Sequence, residues 1–229
     1  MAREDVFVVR HRTIPALAEA GPGQAIMNKF GAQIVVDFYT HLLLSGLCFH
    51  MQTGNEDAPS TSNTTIDDTK AMIIADCLSG AMIPLFADIN FATWENAATI
   101  QAMFEADMDK ARYSSGGTVF VPEQMNKGAT SADAANGTFR TIEGSDIVAA
   151  AKSAVPASVE LKHAVYSEDA LVTVTDGMAG GKPPLFTCKD QVPVILTNPG
   201  SLLLHFGASA DITAYGSLDF AQLDASLVW

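Results

Sequence analysis

Strict alternation of apolar and polar residues marks three stretches of this chain as half-buried strands. Between Asp211 and Phe220, Ile212, Ala214, Gly216, Leu218 and Phe220 interleave with Asp211, Thr213, Tyr215, Ser217 and Asp219. From Ala98 to Met108 the even positions read Ala, Ile, Ala, Phe, Ala and Met, while the odd ones carry Thr, Gln, Met, Glu and Asp. Ala, Met, Gln and Glu favour helix locally. A helix would spread these side chains around its whole circumference, so the period of two decides for strand. Upstream, Ile83, Leu85, Ala87, Ile89 and Phe91 alternate with Pro84, Phe86, Asp88 and Asn90, and the six residues Ala92 to Ala97 separate the two runs. That spacing predicts an antiparallel hairpin.

The rest of the chain reads as further short strands. Val6 to Val9 is a short extended segment, and Gln33 to Tyr39 puts Ile34, Val36 and Phe38 on one face. Leu42 to Met51 reads as a largely apolar strand and Ala71 to Asp76 as a short buried one. The polar stretch Gln52 to Thr69 between them is a surface loop. Strands are expected again at Thr118 to Val121, Ser158 to Tyr166, Leu171 to Thr175, Leu185 to Cys188, Val192 to Leu196 and Leu202 to Phe206, divided by Gly and Pro turn signals. Ala111 to about Val155 reads as an excursion, with Ser145 capping a helix from Asp146 to Ser153 that ends before Pro156. About ten short strands with no βαβ rhythm predict two antiparallel sheets packed face to face. The expected organisation is an N-terminal arm over residues 1–32, a sandwich domain over 33–223 and a tail over 224–229.

Composition narrows the use of this sandwich. The chain has 229 residues, 48% of them hydrophobic and 17% charged, and its mean hydropathy of +0.18 is high enough to imply apolar surface buried against partners. The longest apolar runs, such as Leu42 to Leu47, are strand-sized and too short to span a bilayer. The N-terminus carries Glu4 and Asp5 before any apolar stretch, so an intracellular product is expected. A net charge of −13, from 26 acids against 13 bases, argues against direct sequence-specific nucleic-acid binding. Arg3, Arg10, His11 and Arg12 form the one basic cluster, read as a solvated arm or as an arm touching an anionic surface.

Catalytic and metal chemistry find little footing. His11, His41, His50, His163 and His205 form neither HxH nor HExxH. Cys48 and His50 share a strand face, but a metal needs a third ligand. Cys48, Cys77 and Cys188 are widely spaced and read as buried free thiols. Asp107 and Asp109 begin like a calcium loop, yet Ala111 stands at the next ligand position, so they read as solvated strand carboxylates. Gly177 to Lys182 looks like a phosphate loop with Asp176 where its first glycine belongs and Pro183 where its hydroxyl belongs, and it reads as a hairpin loop. No GxSxG elbow or Ser, His and Asp triad is evident. The expectation is no catalytic residue, no cofactor and no metal.

The run Pro193 to Phe206, followed by the alternating strand Asp211 to Phe220, resembles the last strands of a viral jelly roll, and Ser79 to Leu85 resembles an early strand of the same sandwich. Over about Gln33 to Leu223 the chain is similar to the small major capsid proteins of tailless icosahedral viruses of bacteria and archaea, whose capsomers are single upright jelly rolls around an internal membrane. The resemblance implies an all-β, antiparallel jelly-roll sandwich (a single β-barrel) with a long loop and helix excursion, made in the host cytoplasm and located in the virion. Its implied partners are copies of itself, other capsid proteins and an internal membrane, with Arg3, Arg10 and Arg12 facing inward. Two other functions suit the pattern. A jelly-roll ligand- or carbohydrate-binding module needs an aromatic-lined pocket, although Trp94 and Trp229 are the only tryptophans. A cupin-like metal-free isomerase or epimerase needs His and Tyr converging inside the barrel.

Overall fold

The computed structural model describes residues 38–54, 58–61, 65–91, 99–126, 135–154, 157–166, 184–188, 194–209 and 212–224. Within them the chain is an all-β protein of antiparallel sheets with one short helix, α1 (Phe38–Leu44). Eight strands carry the architecture: β1 (Cys48–Thr53), β2 (Ile73–Cys77), β3 (Ala81–Phe91), β4 (Ile100–Asp107), β5 (Ser158–Tyr166), β6 (Phe186–Thr187), β7 (Gly200–Ala208) and β8 (Thr213–Leu223). The first sheet runs β6-β3-β8-β1, and Leu196–Thr197 pairs with β3 further along the edge that β6 occupies. The second runs β5-β4-β7-β2 and is extended beyond β2 by Gly137–Thr141 and then Thr118–Val119. Among the described residues the two sheets stay separate instead of closing into a barrel.

The core between the sheets follows from the pleat. In β8, Ala214, Gly216, Leu218 and Phe220 are buried while Thr213, Tyr215, Ser217 and Asp219 are half-buried on the other face, the alternation read from the sequence. Aromatic pairs bridge the gap between sheets. Phe104 meets Phe186, Phe91 meets Phe206 and Phe139 meets Phe220 at ring centroid separations of 5.2, 5.6 and 5.5 Å. Such pairs contribute about 0.5–1.5 kcal/mol each beyond the area they bury.

Five expectations change. The alternating runs Ile83–Phe91 and Ala98–Met108 are strands, but β3 lies in the first sheet and β4 in the second, so they do not form a hairpin. Alternation fixes a strand and its faces, and a short link serves equally for a hairpin or for a crossing between sheets. The apolar run from Leu42 begins as α1, which buries Leu42 on the first sheet and exposes Leu43 and Leu44. It ends at Gly46 (φ 74°), where Gly46 N–H bonds Leu43 O and Leu47 N–H bonds Leu42 O, the six-to-one and five-to-two pattern of a glycine C-cap. No helix forms over 146–153. Ile147–Ala149 is a strand of a third, three-stranded sheet with Lys70–Ala71 and Tyr113–Gly116. Within the expected excursion, Gly137–Thr141 is built into the second sheet beside β2, and Gly137 is required there because a Cβ would meet Asp76 O at 2.1 Å. The extended segments expected at Val6–Val9 and Leu171–Thr175 lie outside the described residues, as do residues 33–37 of the one expected at Gln33–Tyr39, whose end Phe38–Tyr39 is the start of α1 and not a strand.

Candidate functional site

Among the described residues, a buried group of ionisable side chains lies between the second sheet and the third. Pleating turns Ile100, Ala102, Phe104 and Ala106 of β4 into the core, which sends Glu105 and Asp107 to the opposite face. Asp76 of β2 and Ser201 and His205 of β7 share that face, and the three-stranded sheet covers it with Ala71, Ile147 and Ala149 packed on Ile74 and Leu203. All these polar groups are buried, and Arg112 is folded over them with 0% exposure.

Each guanidinium nitrogen of Arg112 donates one hydrogen bond. Nη1 donates to Glu105 Oε1 at 2.9 Å and stands 3.8 Å from Asp107 Oδ2. Nε donates to the Ala150 carbonyl and Nη2 to the Asp68 carbonyl, each at 2.6 Å. Its backbone N–H is shared between Asp76 Oδ1 and Ser201 Oγ, and the Tyr113 N–H donates to Asp76 Oδ2. The Ser158 hydroxyl donates to Glu105 Oε1 and the Ser153 N–H to Asp107 Oδ2. His205 Nδ1 bonds the Lys70 carbonyl at 2.8 Å. Its Nε2 faces Glu105 Oε2 at 3.6 Å, beyond hydrogen-bond reach, and neither atom has another partner among the described residues.

Two carboxyl groups of this cluster are displaced in opposite directions. Burial works to raise Glu105, but the His205 ring facing it, the Ser158 hydroxyl and the Arg112 guanidinium outweigh it and hold the group below the ordinary carboxylate range. Burial dominates at Asp76 and raises it against the bonds from Ser201, Tyr113 and Arg112. Divergent carboxyl groups are typical of acid–base sites, yet such a group must reach a substrate. Here every member is buried under the third sheet, so the arrangement ties two layers together.

The sequence reading missed this cluster. Asp107, expected as a solvated strand carboxylate, is buried because the third sheet covers its face, whereas Asp109 is exposed. The sequence offers only Met103 among the polar positions of β4 as a signal, and a single apolar side chain is common on a solvated face.

On the outer face of the first sheet, His50 of β1 lies opposite Asp219 of β8 with Nδ1 2.6 Å from Oδ1. The Asp219 bond raises the His50 pKa most; partial burial opposes it, and the Asp219 charge, Gln52 and Glu123 reinforce it. Cys48 shares this face but is buried beneath α1, and burial, then the nearby Asp219 and Cys188, push its thiol up to about 11. Cys48, Cys77 and Cys188 are all free thiols, the last half-buried. His41 lies in α1, and His163 stands 3.9 Å from Glu160. Among the described residues no three His, Cys, Asp or Glu side chains are placed to hold a metal ion, and no helix is long and apolar enough to cross a membrane. Arg3, Arg10 and Arg12 and the loop Gly177–Lys182 lie outside the described residues.

One flank of the sandwich carries a different kind of surface. The chain passes from Thr118–Val119 at the edge of the second sheet to Glu123–Gln124, which pairs with β1 at the edge of the first. Phe120 turns inward onto the core, while Val119, Val121 and Met125 are exposed, Val121 by 76%. The Asn126 carboxamide donates to Leu44 O, which brings the exposed Leu44 at the end of α1 alongside. Comparison with protein-family models, curated proteins and solved structures finds no match for this chain.

Proposed function

We propose that this chain is a jelly-roll shell subunit, a viral major capsid protein that assembles through contacts between sandwiches. The observation that carries the reading is strand order. Numbered along the chain, β1 to β8 run 6-3-8-1 in one sheet and 5-4-7-2 in the other, with Glu123–Gln124 added beyond β1 and Gly137–Thr141 and Thr118–Val119 beyond β2; the order of the eight is that produced when one long antiparallel hairpin is rolled into two facing sheets. The flank between the sheet edges supports assembly. From Thr118 to Asn126 it holds the single charge Glu123 in a chain of net charge −13, and it presents Val119, Val121 and Met125 outward. Charge depletion around exposed apolar side chains suits the core of an interface, and a second copy of this chain is the partner proposed for it. The arm with Arg3, Arg10 and Arg12 is proposed to reach a neighbouring subunit or an anionic membrane.

Light scattering and electron microscopy of the native protein over a range of salt test this reading. Closed shells or capsomer-sized oligomers are expected. A monomer that persists at high concentration in every salt condition overturns it.

A further inference from the structure

The outer face of the first sheet carries an open groove of about 490 Å³, lined by Gln52, Gly54, Asn90, Tyr215, Gly216 and Ser217. Sheet register builds it: Tyr215 stands opposite Asn90 on β3, and Ser217 stands opposite Gln52 on β1. Neighbouring strands are ~4.8 Å apart, so one half-buried phenol ring has a carboxamide from each adjoining strand within reach of a small molecule lying on it. The ring is held from the side. Gly54 adopts φ +75°, and a Cβ there would meet Tyr215 Cδ1 at 3.0 Å and Pro59 Cα at 3.2 Å, so its backbone passes close beside the aromatic edge. The Gly54 N–H is itself fixed by Glu143 Oε1 at 2.9 Å.

The lining chemistry selects the ligand. The exposed Asn90 carboxamide and the Ser217 hydroxyl offer both donors and acceptors, the Gln52 carboxamide keeps its amide donors while its Oε1 lies 3.4 Å from His50 Nε2, and none of the lining groups is charged. Asp88, paired in register with Ser217, stands on the same face and disfavours an anion, while Asp219, two residues along β8, is paired with His50. A chair-shaped ring with an apolar face of C–H groups and a rim of hydroxyls matches a tyrosine flanked by amides, and the volume lies within the ~300–1,000 Å³ of small-molecule sites. We propose that this groove binds a neutral pyranose sugar, one face of the sugar on Tyr215 and its hydroxyls on Asn90 and Gln52.

Saturation-transfer NMR tests the proposal on the full chain, whether monomeric or assembled, because it observes the sugar. The probes are methyl glucoside, methyl galactoside, methyl mannoside, maltose and cellobiose, with N-acetylneuraminic acid as the anionic control. An open single-aromatic site predicts dissociation constants of about 1 mM or weaker. Transfer is expected to at least one neutral sugar, to survive Tyr215→Phe, and to fall severalfold in Asn90→Ala and Gln52→Ala, with far-UV circular dichroism unchanged. Absence of transfer to every neutral sugar, equal transfer in the Asn90→Ala/Gln52→Ala double variant, or equal transfer to the anionic control overturns it.

Discussion

Arg112 and Glu105 meet as a fully buried ion pair, Nη1 to Oε1 2.9 Å, although they belong to different layers of the molecule. Glu105 projects from β4 in the second sheet, whereas Arg112 leads into Tyr113–Gly116 of the third and binds the carbonyls of Asp68 and Ala150 there. The guanidinium is therefore the tie between layers. Burying an ion pair is costly in itself, and such a pair holds a structure because removing one partner strands the other.

Arg112→Met is expected to cost about 3–5 kcal/mol, since it leaves Glu105 and Asp107 buried without their cation. That is a large share of the roughly 5–15 kcal/mol of a typical domain. Arg112→Lys should also destabilise, because an ammonium cannot reach Glu105, Asp68 and Ala150 with one planar fork. Urea midpoints measure both, and the exposed Lys162→Met serves as a control that should change little. Native hydrogen exchange should rise first at Tyr113–Gly116 and Ile147–Ala149, the strands the tie secures.

The His50–Asp219 pair predicts a pH dependence of opposite sign to ordinary acid unfolding. His50 titrates higher in the folded chain than in the unfolded one, so its stabilisation is complete below the unfolded value of about 6.5 and is lost as pH climbs through the raised folded value. Urea midpoints of the native protein should therefore decline from about pH 6.5 upward, with a component that disappears in His50→Gln. An identical pH profile in wild type and variant removes the pair from the account.

Much of the sandwich was legible because a half-buried strand writes its faces into the sequence. β8 and β5 fall where the alternation and turn signals put them. What alternation lacks is the identity of the neighbour, which is why β3 and β4 were paired in expectation and lie in separate sheets. It also says nothing of what covers a polar face. Glu105 and Asp107 occupy the polar positions of an alternating run and Asp76 ends a run expected to be buried; all three are buried on a face that Ile147–Ala149 and Tyr113–Gly116 fold over. Those covering strands are three and four residues long with Gly and Ser among them, too short for any period to show. The groove at Tyr215 was equally hidden, since Asn90, Gln52 and Ser217 come together only through register.

Leu218 and Ser217 of β8 test the pleat directly. Leu218 is fully buried in the core between the sheets, while Ser217 is half-buried on the outer face. Leu218→Asp places a carboxylate in an apolar core at a cost of several kcal/mol, on the order of the domain's whole stability. It should abolish the cooperative thermal transition. Ser217→Asp should retain that transition, with a modest loss because Asp88 lies opposite on β3. Equal effects of the two changes would show the register to be wrong.

The exposed flank supplies the sharpest separation of assembly from folding. Val121 is 76% exposed and Val119 62% exposed, so a charge at either position meets water in the isolated subunit and costs within about 0.5 kcal/mol of folding stability. In an interface the same charge would be desolvated without a partner, against a neighbour carrying the same excess of acid. Val121→Asp and Val119→Asp are therefore expected to keep the wild-type melting temperature as subunits and to raise the concentration needed for assembly by about tenfold or more, the equivalent of about 1.4 kcal/mol. Light scattering against protein concentration reads that threshold. Asp in place of Val165, exposed on β5 at the far edge of the second sheet, is the comparison. If all three variants assemble like the wild type, the contacts lie elsewhere and Thr118–Asn126 is ordinary solvated surface. If only the Val165 variant fails, the interface runs along β5 instead.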